Sequence, residues 1–351
     1  MQTQTPSAAK VTAARPSLIA GKRTQEWLAG FGFIAPALVI LGLFVLIPMI
    51  AAFVLSFTNW TGQETLDKAQ WVGMNNYADL LVNGNSTSNE FYSALKNTAY
   101  YALGVVPTQT ILSLLLAVIV NQRFLKLKGF FRTAFYFPSI TSSVAVAVIF
   151  LWLFNRFGII NSLLGSSVTW TGDSHGIFQN FLGLFGLNIN TAPDWLTHTT
   201  ILGQRLWDWI SGPSVTMLAI MLLAIWTTSG TMMLIFLAAL QDIPGQLYEA
   251  ASVDGATRWQ LFRKITLPLL RPTTFFIVTI GLISTFQVFD QIYVISKGGP
   301  AGTTNTVAWI AYRNAFKDAQ AGLGAATAFT LFIIVMAFTL IQRRLIGRTD
   351  Q

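Results

Sequence analysis

The chain contains no cysteine, and only His175 and His198 are histidine among its 351 residues. Without thiols there is no disulfide framework, thiolate metal site or cysteine nucleophile. Two histidines are too few for a histidine-rich metal centre. Charge is scarce as well: Asp, Glu, Lys and Arg together make up 10% of the residues, against roughly 25% in soluble globular domains. The 22 basic and 14 acidic side chains cannot clothe a water-facing surface of this size without leaving large apolar patches. With 53% apolar residues and a mean hydropathy of +0.56, an ordinary soluble domain is excluded. An integral membrane protein remains. No G-x-x-x-x-G-K-[ST] phosphate loop occurs, so the chain lacks that route to binding ATP itself.

Six apolar stretches are long enough to cross about 30 Å of hydrocarbon: 30–57, 98–120, 133–154, 214–240, 269–295 and 323–341. Each reads as a helix, because barrel strands would alternate in short segments. The expected fold is therefore an all-α integral membrane protein of six transmembrane helices. A basic tail, 1–29, precedes a transmembrane domain, 30–345, and a short tail, 346–351, follows it. The first stretch lacks a small-residue cleavage pattern and reads as a retained helix. The segment Ile177–Leu187 is apolar but too short to span, and reads as an interfacial or extracytoplasmic element.

The basic residues orient this arrangement. Lys10, Arg15, Lys22 and Arg23, then Arg123, Lys126, Lys128 and Arg132, then Arg258, Arg263, Lys264 and Arg271, and finally Arg343, Arg344 and Arg348 fall on one side. The other side holds Lys68, Lys96, Arg156, Arg205, Lys297, Arg313 and Lys317. The positive-inside rule places both termini in the cytoplasm. A net charge of +8 is thus mostly topogenic, and nucleic acid is not an expected partner. Inside the spans Asp290 is the clear ionisable residue. A proton-coupled carrier usually needs buried relay groups, and a voltage sensor needs an arginine-rich helix. An ion- or proton-coupled carrier and a non-transporting scaffold stay as alternatives, disfavoured by those lacks and by the missing soluble signalling domain.

The loop between the fourth and fifth spans is patterned. After Ile243-Pro244-Gly245, a short helix is expected at Gln246–Ala251, a glycine turn at Gly255, and a second helix at Thr257–Ile265. Leu261 and Ile265 share a face, and Pro268 suits the first turn of the next span. As spacing alone this is an amphipathic interfacial hairpin. Glu249-Ala250-Ala251, Gly255 and Ile265-Thr266-Leu267-Pro268 also match, without departure, the E-A-A-x3-G-x9-I-x-L-P loop of ABC importer permeases. Trp71-Val72-Gly73-Met74-Asn75-Asn76-Tyr77 resembles the F-V-G-x-x-N-Y segment of the sugar-import permeases. Phe289-Asp290-Gln291-Ile292-Tyr293-Val294-Ile295-Ser296-Lys297-Gly298-Gly299-Pro300 resembles their F-D-x-I-Y-V-L-T-x-G-G-P run. The resemblance covers about 30–345 and is to the maltose-type and glycerol-phosphate-type carbohydrate branch. Within it the chain looks like the first permease of the pair, since Arg343-Arg344-Leu345-Ile346-Gly347 lacks the G-A-V-K-G-like tail of the second.

This resemblance implies a binding-protein-dependent inner-membrane permease with no catalytic residues and no metal or cofactor of its own. ATP and Mg would be held by two separate ATP-binding subunits. A cytoplasmic coupling hairpin, 248–268, would dock on one of them through Glu249, Ala250, Ala251, Asp254 and Gly255, with Leu267 and Pro268 leading into the fifth span. Further partners would be a second homologous permease, an extracytoplasmic substrate-binding protein and membrane lipid. The cargo would be a di- or oligosaccharide, or a sugar-like polyol or glycerol phosphate.

Such a cargo needs hydroxyl-bonding groups in an apolar bundle. The fourth span offers Thr228, Ser229, Gly230 and Thr231, and the fifth offers Gln287 and Asp290, three apart and expected on one helical face. Small residues and hydroxyls are also the usual packing glue of membrane helices, so both readings of the Thr/Ser/Gly cluster stand. In maltose-type relatives the sugar lies against the corresponding parts of both spans. The long loop 155–213 carries Trp170, Trp195, Trp207, Trp209 and both histidines. It reads as interfacial anchoring with a small cap, or as a docking or gating surface.

Overall fold

The computed structural model describes residues 17–122 and 125–346. Lys10, Arg15, Arg123 and Arg348 of the topology reading, and the tail beyond Ile346, lie outside the described residues. Two compact units are formed, Met1–Val54 and Leu55–Gln351. Helix Ser17–Leu41 continues through a π-helical turn, Gly42–Leu46, into Ile47–Leu55. Its uncharged part, α1 (Ala29–Leu55), has 27 residues, about 40 Å at 1.5 Å per residue.

The second unit is a helical bundle. After α2 (Asn75–Leu81) comes α3 (Ser86–Asn121), 36 residues opened by Asn85, whose side chain accepts the Ser88 N–H at 2.9 Å. Then follow α4 (Lys128–Ile140), α5 (Ser143–Leu153) and α6 (Val215–Asp242), the last capped by Ser214 onto the Met217 N–H. A hairpin of α7 (Gly245–Val253) and α8 (Arg258–Leu261) leads through Phe262–Thr266 and Leu267–Leu269 to α9 (Arg271–Phe286). The chain closes with α10 (Asp290–Ile295), α11 (Val307–Phe316) and α12 (Ala321–Ile346). Among the described residues five helices are long and apolar enough to cross a membrane, or six if the pair α4–α5 counts as one span.

Helix α6 is the axis of the bundle: 61% of its apolar window is buried, against 28% for α12. It packs along α3, with Met217, Ile220, Met221 and Ala224 against Tyr101, Ala102 and Val105 toward one end. Toward the other, Met233, Phe236, Leu237 and Leu240 meet Ala117 and Val120. Small residues set this spacing. A Cβ on Gly104 would sit 3.1 Å from Met221, and one on Gly324 would sit 2.6 Å from Ala315 Cβ where α12 crosses α11. With no water to expel, membrane helices gain stability from such close contact.

Two expected spans are broken. The stretch 133–154 was expected to be one helix, but α4 and α5 meet at 97°. Pro138 has no N–H to donate to the carbonyl of the preceding turn, and Ser142 leaves the helical region at φ −53°, ψ 127°. The break is pinned to α6: Ser139 Oγ donates to the Thr227 carbonyl at 2.5 Å and accepts the Thr231 N–H at 3.2 Å. The stretch 269–295 is interrupted at Gln287–Phe289, where Phe289 has φ −135° and ψ −57°. No proline or glycine stands there. The freed Val288 carbonyl accepts the Thr306 hydroxyl at 3.1 Å, so a tertiary partner replaces the helical one.

A polar belt closes one end of the bundle. Gly298, at φ +86°, turns where a Cβ would lie 2.0 Å from Asn305 Oδ1. Asn97 donates to the Gly302 and Asn305 carbonyls at 3.1 and 3.0 Å. Arg313 donates to both Glu90 oxygens at 2.6 Å, and that bond holds the guanidinium above its usual value against the opposing effect of burial. In the N-terminal motif, Asn76 Nδ2 donates to the Ser56 and Thr58 carbonyls, both at 2.8 Å. The loop before α6 folds around Asn161. Its Nδ2 donates to the Arg156 and Val168 carbonyls, and its Oδ1 accepts from Ser166 and the Trp170 indole.

Candidate functional site

A cleft of about 240 Å³ opens where the two helix breaks face α3 and α6. Its lining includes Tyr101 and Gln109 of α3, Ser143 of α5, Thr228 of α6, and Gln287, Asp290 and Gln291 from the α9–α10 break. A second cleft of about 290 Å³ shares Ser143, Thr228, Met232 and Gln291 with it and adds Ser139 and Thr231. Most of these polar groups are tethered across helices. The Thr228 hydroxyl donates to Gln109 Oε1 at 2.6 Å, with the Ala224 carbonyl as a competing acceptor at 2.7 Å. Tyr101 donates to Gln291 Oε1 at 2.6 Å, and Ser143 to Asp290 Oδ2 at 2.9 Å. Gly281 makes room for this arrangement: a Cβ there would lie 2.5 Å from Gln109 Nε2.

The Thr/Ser/Gly cluster divides by face. Thr228 and Thr231, three apart, point to the clefts. Ser229, 3% exposed, donates to the Ile225 carbonyl, and its own carbonyl accepts from Ser113 at 3.0 Å. Gly230 lies against α4, where a Cβ would be 2.2 Å from the Phe135 carbonyl. Gln287 and Asp290 line the same cleft, though not for the expected reason. The helix is broken between them, so their shared orientation comes from the break and not from helical spacing. Ser139, Ser143, Gln109 and Gln291 were not picked out from the sequence. Gln109 is 1% exposed in an apolar helix, and a lone amide in such a run is the available signal.

The hairpin residues lie elsewhere. Gly255 adopts φ +80° and a Cβ on it would meet nothing within 4 Å. Thr257 caps α8 in a capping box with Gln260, whose Oε1 accepts the Thr257 N–H at 2.7 Å. The Tyr248 and Thr266 hydroxyls, 2.9 Å apart, join the two arms. Glu249, Ala250, Asp254 and Gly255 are exposed and Ala251 is half-buried. Val253 is 88% exposed and Trp259 65%, an apolar tip set between charges. Leu267 and Pro268 are half-buried where the second arm passes into α9. Among the described residues no group of three or more Asp, Glu or His could hold a metal ion.

The family model for the binding-protein-dependent transport system inner membrane component matches residues 109–351. The chain belongs to this family. The permease is 35% identical over 320 residues to the probable ABC transporter permease protein YesP of Bacillus subtilis, covering 90% of each chain. It is 30% identical over 343 residues to the arabinooligosaccharides transport system permease protein AraP of the same organism, covering 97% of this chain and 94% of that one. The trehalose/maltose transport system permease protein MalF of Thermococcus litoralis is 29% identical, covering 92% and 95%. In fold the permease is similar to a crystal structure of a bacterial ABC transporter involved in the import of the acidic polysaccharide alginate. The TM-score is 0.72 at 21% identity, over 95% of this chain and 99% of that one. The family places the chain in the membrane as a multi-pass transport component.

Proposed function

We propose that the permease carries a di- or oligosaccharide, or a sugar-like polyol or glycerol phosphate, through a pathway shared with a second homologous permease. The observation that carries this reading is the cleft in which Gln109, Thr228, Gln287, Asp290 and Gln291 converge between two broken helices. Amides, a hydroxyl and a carboxylate supply both donors and acceptors, as a polyhydroxylated cargo requires. Thr228, Thr231, Gln287 and Asp290 face the cargo, while Ser229 and Gly230 hold α6 in place. The relatives named for arabinooligosaccharides and for trehalose and maltose support the substrate class. A binding protein outside delivers the cargo, as the family description implies.

Energy comes from two ATP-binding subunits that hold ATP and Mg. The exposed hairpin docks on one of them through Glu249, Ala250, Ala251, Asp254 and Gly255. Its arms, joined through Tyr248 and Thr266 and continued by Leu267 and Pro268 into α9, convey closure of those subunits as a rigid-body movement. The transmembrane domain, 30–345, crosses the inner membrane six times with both termini cytoplasmic. A reporter fused after Gln351 should read cytoplasmic and one inserted near Gly172 external; an external C-terminus overturns the orientation. The functional test is uptake by reconstituted complex with arabinotriose, trehalose and maltose as probes and all ion gradients collapsed. Uptake that needs ATP and binding protein is expected. Uptake driven by an imposed proton or sodium gradient without ATP overturns the reading.

A further inference from the structure

Residues 176–193 contain no charged side chain, yet they form part of a loop and not a span. They are strapped to the chain just ahead of α6. The Ile177 N–H donates to the Pro213 carbonyl at 3.0 Å, and the Phe178 and Gln179 N–H groups donate to the Ser211 carbonyl at 3.1 and 3.2 Å. In return the Val215 N–H donates to the His175 carbonyl at 3.1 Å, and Thr216 Oγ1 to the Asp173 carbonyl at 3.0 Å. Gly176 permits this approach, since a Cβ there would fall 2.1 Å from the Ser211 carbonyl oxygen. The short helix Ile177–Gly183 therefore moves with the first turn of α6.

That coupling fixes its depth. The 28 residues of α6 extend about 42 Å, close to the roughly 40–45 Å of a bilayer with both headgroup layers. Set upright across the bilayer, α6 would begin at headgroup level, and the segment bonded to it would lie there too. On this segment Ile177 and Leu182 are half-buried. Phe178, Phe181 and Phe185 follow the i, i+3, i+7 spacing of one helical face and, with Leu184, are 56–82% exposed. The Phe181 and Phe185 rings pack edge to face at 5.2 Å. A face turned to water at this level would leave a large apolar patch unclothed, whereas aromatic side chains at the boundary of headgroups and acyl chains are stabilised there.

We propose that Phe178, Phe181, Leu184 and Phe185 form a lipid-embedded foot that sits in the bilayer interface beside the start of α6. The foot holds the loop 155–213 at a set height above the pathway. Because the chain has no cysteine, it can carry a single reporter, labelled on the isolated permease or in a complex whose partner subunits are also freed of reactive thiols. Phe181→Cys and, separately, Leu184→Cys would carry a nitroxide label in the complete complex, reconstituted in phosphatidylcholine and phosphatidylglycerol bilayers. Asn190→Cys would serve as the water-facing control. Power saturation with oxygen and with a neutral nickel chelate then reports lipid against water. Collisions with oxygen should exceed those with the chelate several-fold at 181 and 184, and the ratio should invert at 190. Chelate-dominated collisions at both foot positions would overturn the proposal and leave a water-facing docking surface. Exclusion of both reagents would overturn it in favour of coverage by a partner protein.

Discussion

The cleft and the hairpin are built on opposite terms. In the cleft the Thr228 hydroxyl, the Gln109 and Gln291 amides and the Asp290 carboxylate each have a partner on another helix, so one substitution disturbs several positions. In the hairpin Glu249, Ala250, Asp254 and Gly255 face outward, and the fold is kept by other residues: the Thr257–Gln260 box and the Tyr248–Thr266 contact. Residues enclosed within a bundle set a shape that tolerates little change at any one position. Residues displayed on a capped hairpin can be altered while the hairpin stands. Changes at the enclosed positions of α6, Ser229 and Gly230, should therefore mix folding and transport, and changes at its open positions and on the hairpin should separate them.

The largest effect is expected where the cleft helix is packed most tightly. Gly230→Val places a branched side chain against the Phe135 backbone, and overpacking of this kind costs about 1–3 kcal/mol or more. Recovery and melting temperature of the purified complex should both fall; unchanged values would move Gly230 out of the packing role. Next in size are Glu249→Lys and Gly255→Asp. A like-charge contact across an interface costs several kcal/mol, and a side chain at the left-handed Gly255 costs about 1–2 kcal/mol. Both variants should insert and fold normally yet lose the ATP-binding subunits in a pull-down, together with uptake. Gly255→Ala sharpens the contrast, because it keeps the backbone strain and omits the charge, and it should retain more docking than Gly255→Asp. Normal docking and uptake in all three would reduce the hairpin to an interfacial element.

Smaller effects are expected of the groups proposed to face the cargo. Thr228→Leu and Gln287→Leu each remove a hydrogen bond of about 1–1.5 kcal/mol, equivalent to about tenfold in transport, while the complex still assembles. Unchanged uptake by both would make these groups packing elements. Smallest is Gly281→Ala, whose methyl would displace the Gln109 amide from 2.5 Å. A few-fold loss of uptake without loss of assembly is expected, and no change would detach Gln109 from the pathway.

The two regions also differ in how far they can be read from residues alone. The hairpin is local: Pro244-Gly245, Gly255 and Thr257 announce its ends and turn within a few positions, and the observed helices Gly245–Val253 and Arg258–Leu261 follow them. Membrane helices are announced by long apolar runs in the same way. The breaks are not. Pro138 warns of the bend between α4 and α5, but Gln287–Phe289 holds no such residue, and its opening depends on Thr306, 18 positions away. The cleft inherits that opacity. Gln287 and Asp290 were expected together on a helical face and meet instead at a break. Gln109 joins them only because α3 packs along α6, which no local pattern states.

The division of α6 into an open face and a packing face within four consecutive residues has a consequence for altering selectivity. Thr228 and Thr231 border open space, while Ser229 and Gly230 are enclosed by α3 and α4. A combinatorial library that varies 228 and 231 alone would keep most of its members assembled and spread them over different cargoes. One that randomises 228–231 as a block would lose most members before selectivity could be assayed, so the middle pair limits which new specificities this helix can reach.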